Sequence, residues 1–236
     1  MFAPCIILRA SFSIAEIEVR ICPQEWTAPL EYEALVRLEW EKMLARATHP
    51  LWDGTYYRVL ESALLKDRKL RLGTIQYRHI ATLRALWEHH AMWRLEPLQH
   101  LSTTTLLRTT DGYYLFGKRM RDNSIDLIGG GVQSDEGVVS SGTDIEKNLY
   151  KEIREEVGIG SGDIAKLEGI GIVCSETSNV LIVGHAQLDL SKADVEELFT
   201  DRTEDEMTQP VFIPEGELSA FMRTMADYRS LVADLL

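Results

Sequence analysis

Three carboxylates, Glu152, Glu155 and Glu156, fall within the stretch Lys151-Glu152-Ile153-Arg154-Glu155-Glu156-Val157-Gly158-Ile159, which reads as the end of a helix. At about 100° per residue, Glu152 and Glu156 lie within roughly 20° of Ile145, at the edge of the apolar stripe Ile145, Leu149, Ile153 and Val157. Glu155 lies roughly 60 to 100° to one side. Two carboxylates one turn apart on that edge repel each other and lose hydration, a cost that a bound cation removes. Hard divalent cations take carboxylate oxygens, and Mg²⁺ is the commonest of them where phosphates are also bound. The plainer alternative is a solvated acidic face on which Glu155 pairs with Lys151 at i, i+4.

The elements that must position these groups can be read outward from the helix. Asp144 is the expected N-cap, and Gly158 supplies the left-handed residue that closes many helices. Upstream, Ile125 to Ile128 is predicted as a short strand feeding the turn Gly129-Gly130-Gly131, with Gln133 to Gly142 as a loop between turn and helix.

This block resembles the signature of the Nudix hydrolases: a glycine, five residues, Glu, seven residues, then Arg-Glu-apolar-any-Glu-Glu-any-Gly-apolar. The second half fits at Glu152, Ile153, Glu155, Glu156, Gly158 and Ile159. Two positions depart from it, with Lys151 in place of Arg and Thr143 in place of the early Glu. The glycine run also lies about six residues too far upstream, an insertion that loop entropy tolerates well. Thr143 removes one carboxylate, which would either weaken the hold on a metal or leave its place to a residue from elsewhere. Lys151 keeps the charge without the bidentate fork, so the ion pairs bracing the helix should be looser.

The resemblance implies an α/β fold, the Nudix α/β/α sandwich with a mixed sheet, here preceded by a smaller α+β N-terminal module. It implies divalent-metal-dependent hydrolysis of a pyrophosphate bond, with Mg²⁺ or Mn²⁺ as cofactor. Glu155 and Glu156 would hold metal with a backbone carbonyl near Gly130. Glu152 would join them or orient and deprotonate the attacking water, with Glu176 and Glu206 as further candidates for base or outer ligand. Many Nudix enzymes are dimers, so a homodimer is compatible with the resemblance.

Composition sets limits on the rest. The chain has 236 residues, 45% hydrophobic and 26% charged, enough for one substantial domain with an appendage or two small ones. A formal charge of -12 without a basic block argues against a general nucleic-acid binder, so a polyanionic substrate would need metal ions and a few local Arg or Lys residues. Cys5, Cys22 and Cys174 are scattered and odd in number, which points to a reducing cytoplasm. No signal peptide or membrane span is predicted.

In chain order, Cys5 to Ala10 and Ile14 to Ile21 are predicted strands, followed by a helix from Leu30 to about Thr48 that His49-Pro50 breaks. Two more strands, Thr55 to Leu60 and Leu70 to Ile75, precede a helix over His79 to Trp93. These elements make up the module 1–99. The domain 100–236 begins with a hairpin, Thr104 to Arg108 and Tyr113 to Lys118, turning at Asp111-Gly112. After the signature helix come strands over Leu167 to Cys174, Val180 to Leu190 and Pro210 to Ile213, and a last helix over Glu217 to Leu235.

Candidate substrate contacts are Tyr57, Arg58, Tyr77 and Arg78, where rings could stack a base and guanidinium groups bind phosphate, or where Tyr fills the core and Arg reaches outward. Arg119 and Arg121 follow the second strand of the hairpin, where their charge could meet phosphate or simply lie at the surface. Glu206 belongs to the run Glu204-Asp205-Glu206, which as bare charge reads equally as a solvated loop. Leu51-Trp52-Asp53-Gly54, Tyr57-Arg58, Leu72-Gly73-Thr74, Tyr77-Arg78, Glu96-Pro97-Leu98 and Glu176-Thr177-Ser178 are similar to the Nudix subgroup that hydrolyses UDP-glucose and UDP-galactose. That similarity implies UMP and a sugar 1-phosphate as products. The other readings are a Nudix pyrophosphatase acting on ADP-ribose, a dinucleotide or a nucleoside triphosphate, and an inactive Nudix fold that binds a nucleotide or a protein.

Overall fold

The computed structural model describes residues 3–47, 51–86, 98–225 and 227–236. Its strands are β1 (Cys5–Phe12), β2 (Glu18–Trp26), β3 (Thr55–Val59), β4 (Lys69–Gln76), β5 (Leu101–Arg108), β6 (Tyr113–Arg119), β7 (Ile125–Asp126), β8 (Ile164–Cys174), β9 (Val180–Leu188) and β10 (Met207–Pro214). The helices are α1 (Leu30–Arg46), α2 (Tyr77–Leu86), α3 (Gly142–Val157), α4 (Lys192–Leu198), α5 (Leu218–Arg223) and α6 (Tyr228–Val232).

The large sheet runs β1-β8-β9-β5-β6-β10, with β7 on β6. It is mixed: β5 lies parallel to β9, and its other pairs are antiparallel. Alternation along β5 sends successive side chains to opposite faces. Leu106 packs with Leu218, Met222 and Val232 of α5 and α6, while Leu107 packs with Ile153 and Val157 of α3 and with Val195 of α4. The sheet is therefore sandwiched between helices, as expected. A second sheet, β2-β4-β3, carries the remaining strands of the front segment. Residues 1–99 thus give β1 to the large sheet, and Val59, Leu65 and Leu72 share a core with Leu101, Ile145 and Leu149.

Several elements differ from the sequence reading for identifiable reasons. Ile14 and Ile17 are both buried, three residues apart, and this spacing belongs to the 3-10 turn Ile14–Glu16 and not to a strand. The strand begins later, at Glu18, and passes through Pro23, which is tolerated because β2 is an edge strand whose register shifts between Ile21 and Glu25. The N-cap of α3 is Ser141, not Asp144. Asp144 sits in the first turn, where its carboxylate accepts the amides of Ser140 and Ser141 at 3.0 and 3.1 Å.

Instead of one terminal helix there are two, because Asp227 accepts the Arg229 amide at 3.0 Å and caps α6. Lys192–Leu198 is a helix that the sequence reading left out. The parts of the predicted elements at Thr48 to Pro50, Trp87 to Trp93 and Glu96-Pro97 lie outside the described residues.

Candidate active site

The signature helix folds as its pattern dictates. Ile145, Leu149, Ile153 and Val157 are fully buried, and Gly158 at φ 78° ends the helix by donating its N–H to the Arg154 carbonyl. A β-carbon at Gly158 would lie 2.2 Å from the Leu198 carbonyl oxygen, so a side chain is excluded there by conformation and by contact.

The same stripe carries two carboxylates inward. Glu152 is 9% exposed and Glu156 2% exposed, whereas Glu155 remains partly exposed. The glycine turn packs directly on them. Glu156 Oε2 accepts the Gly129 amide at 2.9 Å, and a β-carbon at Gly130 would approach Glu152 Oε2 to 2.4 Å. The turn is in turn tied to β5, since the Gly130 carbonyl accepts the Thr103 amide at 2.9 Å.

Electrostatics follow from this burial. Desolvation lifts the Glu152 carboxyl to about 7, against Lys151 and with Glu155 adding to the rise. Desolvation lifts Glu156 to about 9, against the Gly129 amide and Arg119. Lys151 is ringed by acids: it pairs with Glu136, lies 3.4 Å from Glu155 and 3.8 Å from Glu152. Burial opposes the charge of Lys151, but Glu136, Glu152 and Glu155 together hold its pKa above the usual lysine value. Glu136 comes from the loop between the glycine turn and α3, seven residues before Thr143. Thr143 itself is exposed.

These acids floor a cleft of about 600 Å³. Glu176 and Glu206 line it, with Glu176 also accepting the Tyr228 amide at 3.3 Å and Glu206 accepting from Arg119 at 3.0 Å. Arg119 bonds Asp126 at 2.6 Å, and Arg121 pairs with Asp122 at 3.2 Å, so both lie at the cleft with acids already attached. Glu204 also reaches the cleft, whereas Asp205 is 86% exposed and pairs with Arg202.

The front segment contributes to the same cleft through Tyr56 and Tyr77, whose ring centroids lie 5.6 Å apart. Tyr57, Arg58 and Arg78 do not line it. Tyr57 is core, with its hydroxyl accepting the Val139 amide. Arg58 is buried, and Arg78 pairs with Asp53 at 3.0 Å. Period-2 alternation explains the result: along β3, neighbours point to opposite faces, so Tyr56 and Tyr57 cannot both face the cleft. Arg84, His100, Asp126 and Arg229 line the cleft as well and were not anticipated, because isolated polar residues within strands and helices carry no spacing signal.

Glu152, Glu155 and Glu156 are oxygen donors of the kind that a hard divalent cation takes. Among the described residues, no three His, Cys, Asp or Glu side chains already converge as a metal cage. The donor types and surroundings nevertheless fit such an ion. Burial holds two carboxyls above their ordinary range, and the Glu152 carboxylate lies where a side chain at Gly130 would sit.

No family model matches the chain, and no curated protein matches it. Solved structures similar to it include Tm1382, described as a Nudix hydrolase, at 14% identity over 84% of this chain and 94% of that one, with a TM-score of 0.44. A Nudix hydrolase from Nitrosomonas europaea is 13% identical over 57% and 85%, with a TM-score of 0.39. A pyrophosphohydrolase from Bacillus subtilis is 19% identical over 51% and 68%, with a TM-score of 0.34. At this distance the functional reading rests on the chain's own residues.

Proposed function

We propose that the chain is a Nudix-type hydrolase that cleaves the pyrophosphate bond of a nucleoside diphosphate linked to another group. The observation that carries this reading is the pair of buried carboxylates, Glu152 and Glu156, set one turn apart on α3 against Gly129 and Gly130 at the floor of an open cleft. Burying two acids side by side is costly, and a binding pocket for neutral ligands would have no use for them.

In this reading Glu155 and Glu156 would hold Mg²⁺ or Mn²⁺. When bound, the ion neutralises the bridging and terminal phosphate oxygens and makes a nearby water more acidic. Glu152 orients the attacking water and takes its proton. In the metal-free protein, burial holds the pKa of Glu152 at about 7. Water adds at one phosphorus, the bridging P–O bond breaks, and the products are two phosphate monoesters. Glu156 keeps the glycine turn docked on α3 through the Gly129 amide. Lys151 and Glu136 limit how far Glu152 and Glu155 can swing.

We take UDP-glucose or UDP-galactose as the favoured substrate, giving UMP and a hexose 1-phosphate. Support comes from the front-segment motifs and from the rings of Tyr56 and Tyr77, which could flank a base. No helix among the described residues is long and apolar enough to cross a membrane. A cytoplasmic setting accords with the free cysteines.

A second reading, nucleotide binding without turnover, draws on Lys151, which already lies among three of the acids. One experiment separates the two. UDP-glucose, ADP-ribose, NADH, diadenosine polyphosphates and nucleoside triphosphates are incubated with the protein in Mg²⁺, Mn²⁺ or EDTA. Metal-dependent UMP release from UDP-glucose, lost in Glu152→Gln, is the expected result. Release of AMP or phosphate from another member would change the substrate only. No release from any member with either metal would favour binding without turnover.

A further inference from the structure

The cationic side chains lining the cleft are Arg84, Arg119, Arg121, Lys151 and Arg229. Four of them already carry acids: Arg119 has Asp126 and Glu206, Arg121 has Asp122, Lys151 has Glu136, and Arg229 has Asp227. Arg84, on α2, makes no ion pair with a carboxylate among the described residues. Its guanidinium is held instead by a neutral group, with Nη2 3.4 Å from His100 Nε2.

His100 is 5% exposed, and its Nε2 also lies 2.9 Å from Ser102 Oγ. A nitrogen approached by a guanidinium and a hydroxyl serves as an acceptor, so the imidazole proton belongs on Nδ1. Burial, reinforced by the charge of Arg84, keeps His100 well below the usual histidine pKa and hence uncharged. This arrangement fixes the guanidinium without neutralising it. Beside it stand Tyr56, whose ring meets the His100 ring edge-on at 6.3 Å, and Tyr77.

We propose that Arg84, held by His100, is the anion anchor of the cleft, binding a phosphate of the substrate beside the Tyr56 and Tyr77 rings. This deepens the hydrolase reading and rests on it for the identity of the substrate. The cleft is lined by many more acids than bases, so a polyanion entering it needs a cation whose charge is not already spoken for, and a guanidinium offers phosphate a two-pronged contact.

The test measures binding, not turnover. Wild type, Arg84→Gln, Arg84→Lys and, as a control outside the cleft, Arg223→Gln are titrated calorimetrically in EDTA with UDP and, separately, with inorganic pyrophosphate, after thermal melts confirm that each variant is folded. Both probes should bind wild type. Arg84→Gln should lose tenfold or more for each, the loss expected for one charge-assisted contact. Arg84→Lys should fall between, and Arg223→Gln should stay within about threefold of wild type, because that residue does not line the cleft and pairs with Asp234 at the surface. Equal affinities of wild type and Arg84→Gln, or no binding of either probe by wild type, would overturn the assignment. So would a loss confined to UDP, because Arg84 would then be reading the nucleoside and not the phosphate. Arg84-dependent binding in a protein that releases no product from any nucleotide would uphold the anchor and remove the hydrolase reading, so the two failures are distinguishable.

Discussion

Glu156 Oε2 accepts the Gly129 amide at 2.9 Å, and this single bond joins the last turn of α3 to the glycine turn that roofs it. The carboxylate is thereby both a structural acceptor and a candidate ligand. Glu156→Gln retains an acceptor oxygen and loses the charge, so the fold should survive while metal-dependent turnover falls by about 100-fold or more. Glu152→Gln should lower turnover by about 10²–10⁴, the range for a missing general base. Steady-state rates with matched thermal melts check both, and wild-type rates in either variant would refute its role.

The pH dependence of stability should carry the mark of Glu156. Its ordinary pKa near 4.5 rises to about 9 in the folded state, so between those values the folded protein holds a proton that the unfolded chain has released. Stability of the metal-free protein therefore declines as pH rises through this window. The contribution is intact below about 4.5 and fully lost above about 9. Comparing thermal midpoints of wild type and Glu156→Gln in EDTA from pH 5 to 9 isolates it: the variant should decline less steeply, and excess Mg²⁺ should flatten the wild-type curve. Parallel curves would show that burial of this carboxyl is less costly than its surroundings indicate.

Glu136 and Thr143 give opposite expectations. Because Glu136 already pairs with Lys151, Thr143→Glu should leave activity within about twofold of wild type, while Glu136→Gln should reduce it by about tenfold by freeing Lys151 to swing. A large gain in Thr143→Glu would instead mean that the missing carboxylate limits the enzyme.

Gly130→Ala and Gly158→Ala separate chemistry from folding. The first pushes a methyl against Glu152 Oε2 and should damage activity more than stability. The second meets the Leu198 carbonyl at a positive φ and should destabilise by about 1–3 kcal/mol, read from urea midpoints. A stable, inactive Gly158→Ala would be unexpected.

The signature helix was legible because its information is local. A four-residue apolar repeat, two acids on its edge and a closing glycine all act within five turns of one element. The large mixed sheet between helices was also legible, from strand patterning and the signature. What surrounds the acids depends on residues far apart in the chain. Arg84 and Glu136 reach the cleft from α2 and from the inserted loop, and neither neighbourhood differs in sequence from an ordinary polar surface. The choice of Tyr57 over Tyr56 could not be settled without knowing which face of β3 meets the glycine turn. Cys5 and Cys174 show the same limit, since they look unrelated in sequence and are register partners across β1 and β8. The two-helix ending turned on one capping side chain, Asp227, which periodicity alone does not weigh.

The pairing of β1 with β8 also bears on how the chain is made. Ser11 on β1 bonds Glu168 on β8 across 157 residues of sequence. On a ribosome adding about 5–20 residues per second, β1 emerges roughly 10–30 seconds before β8, the strand it pairs with. Throughout that interval a strand with apolar side chains and unpaired backbone groups is open to wrong partners. The edge of the large sheet is therefore completed late, after the acids of α3 are already in the growing chain, and the cleft is completed later still, because Glu176, Glu206 and Arg229, which line it, follow β8 in sequence.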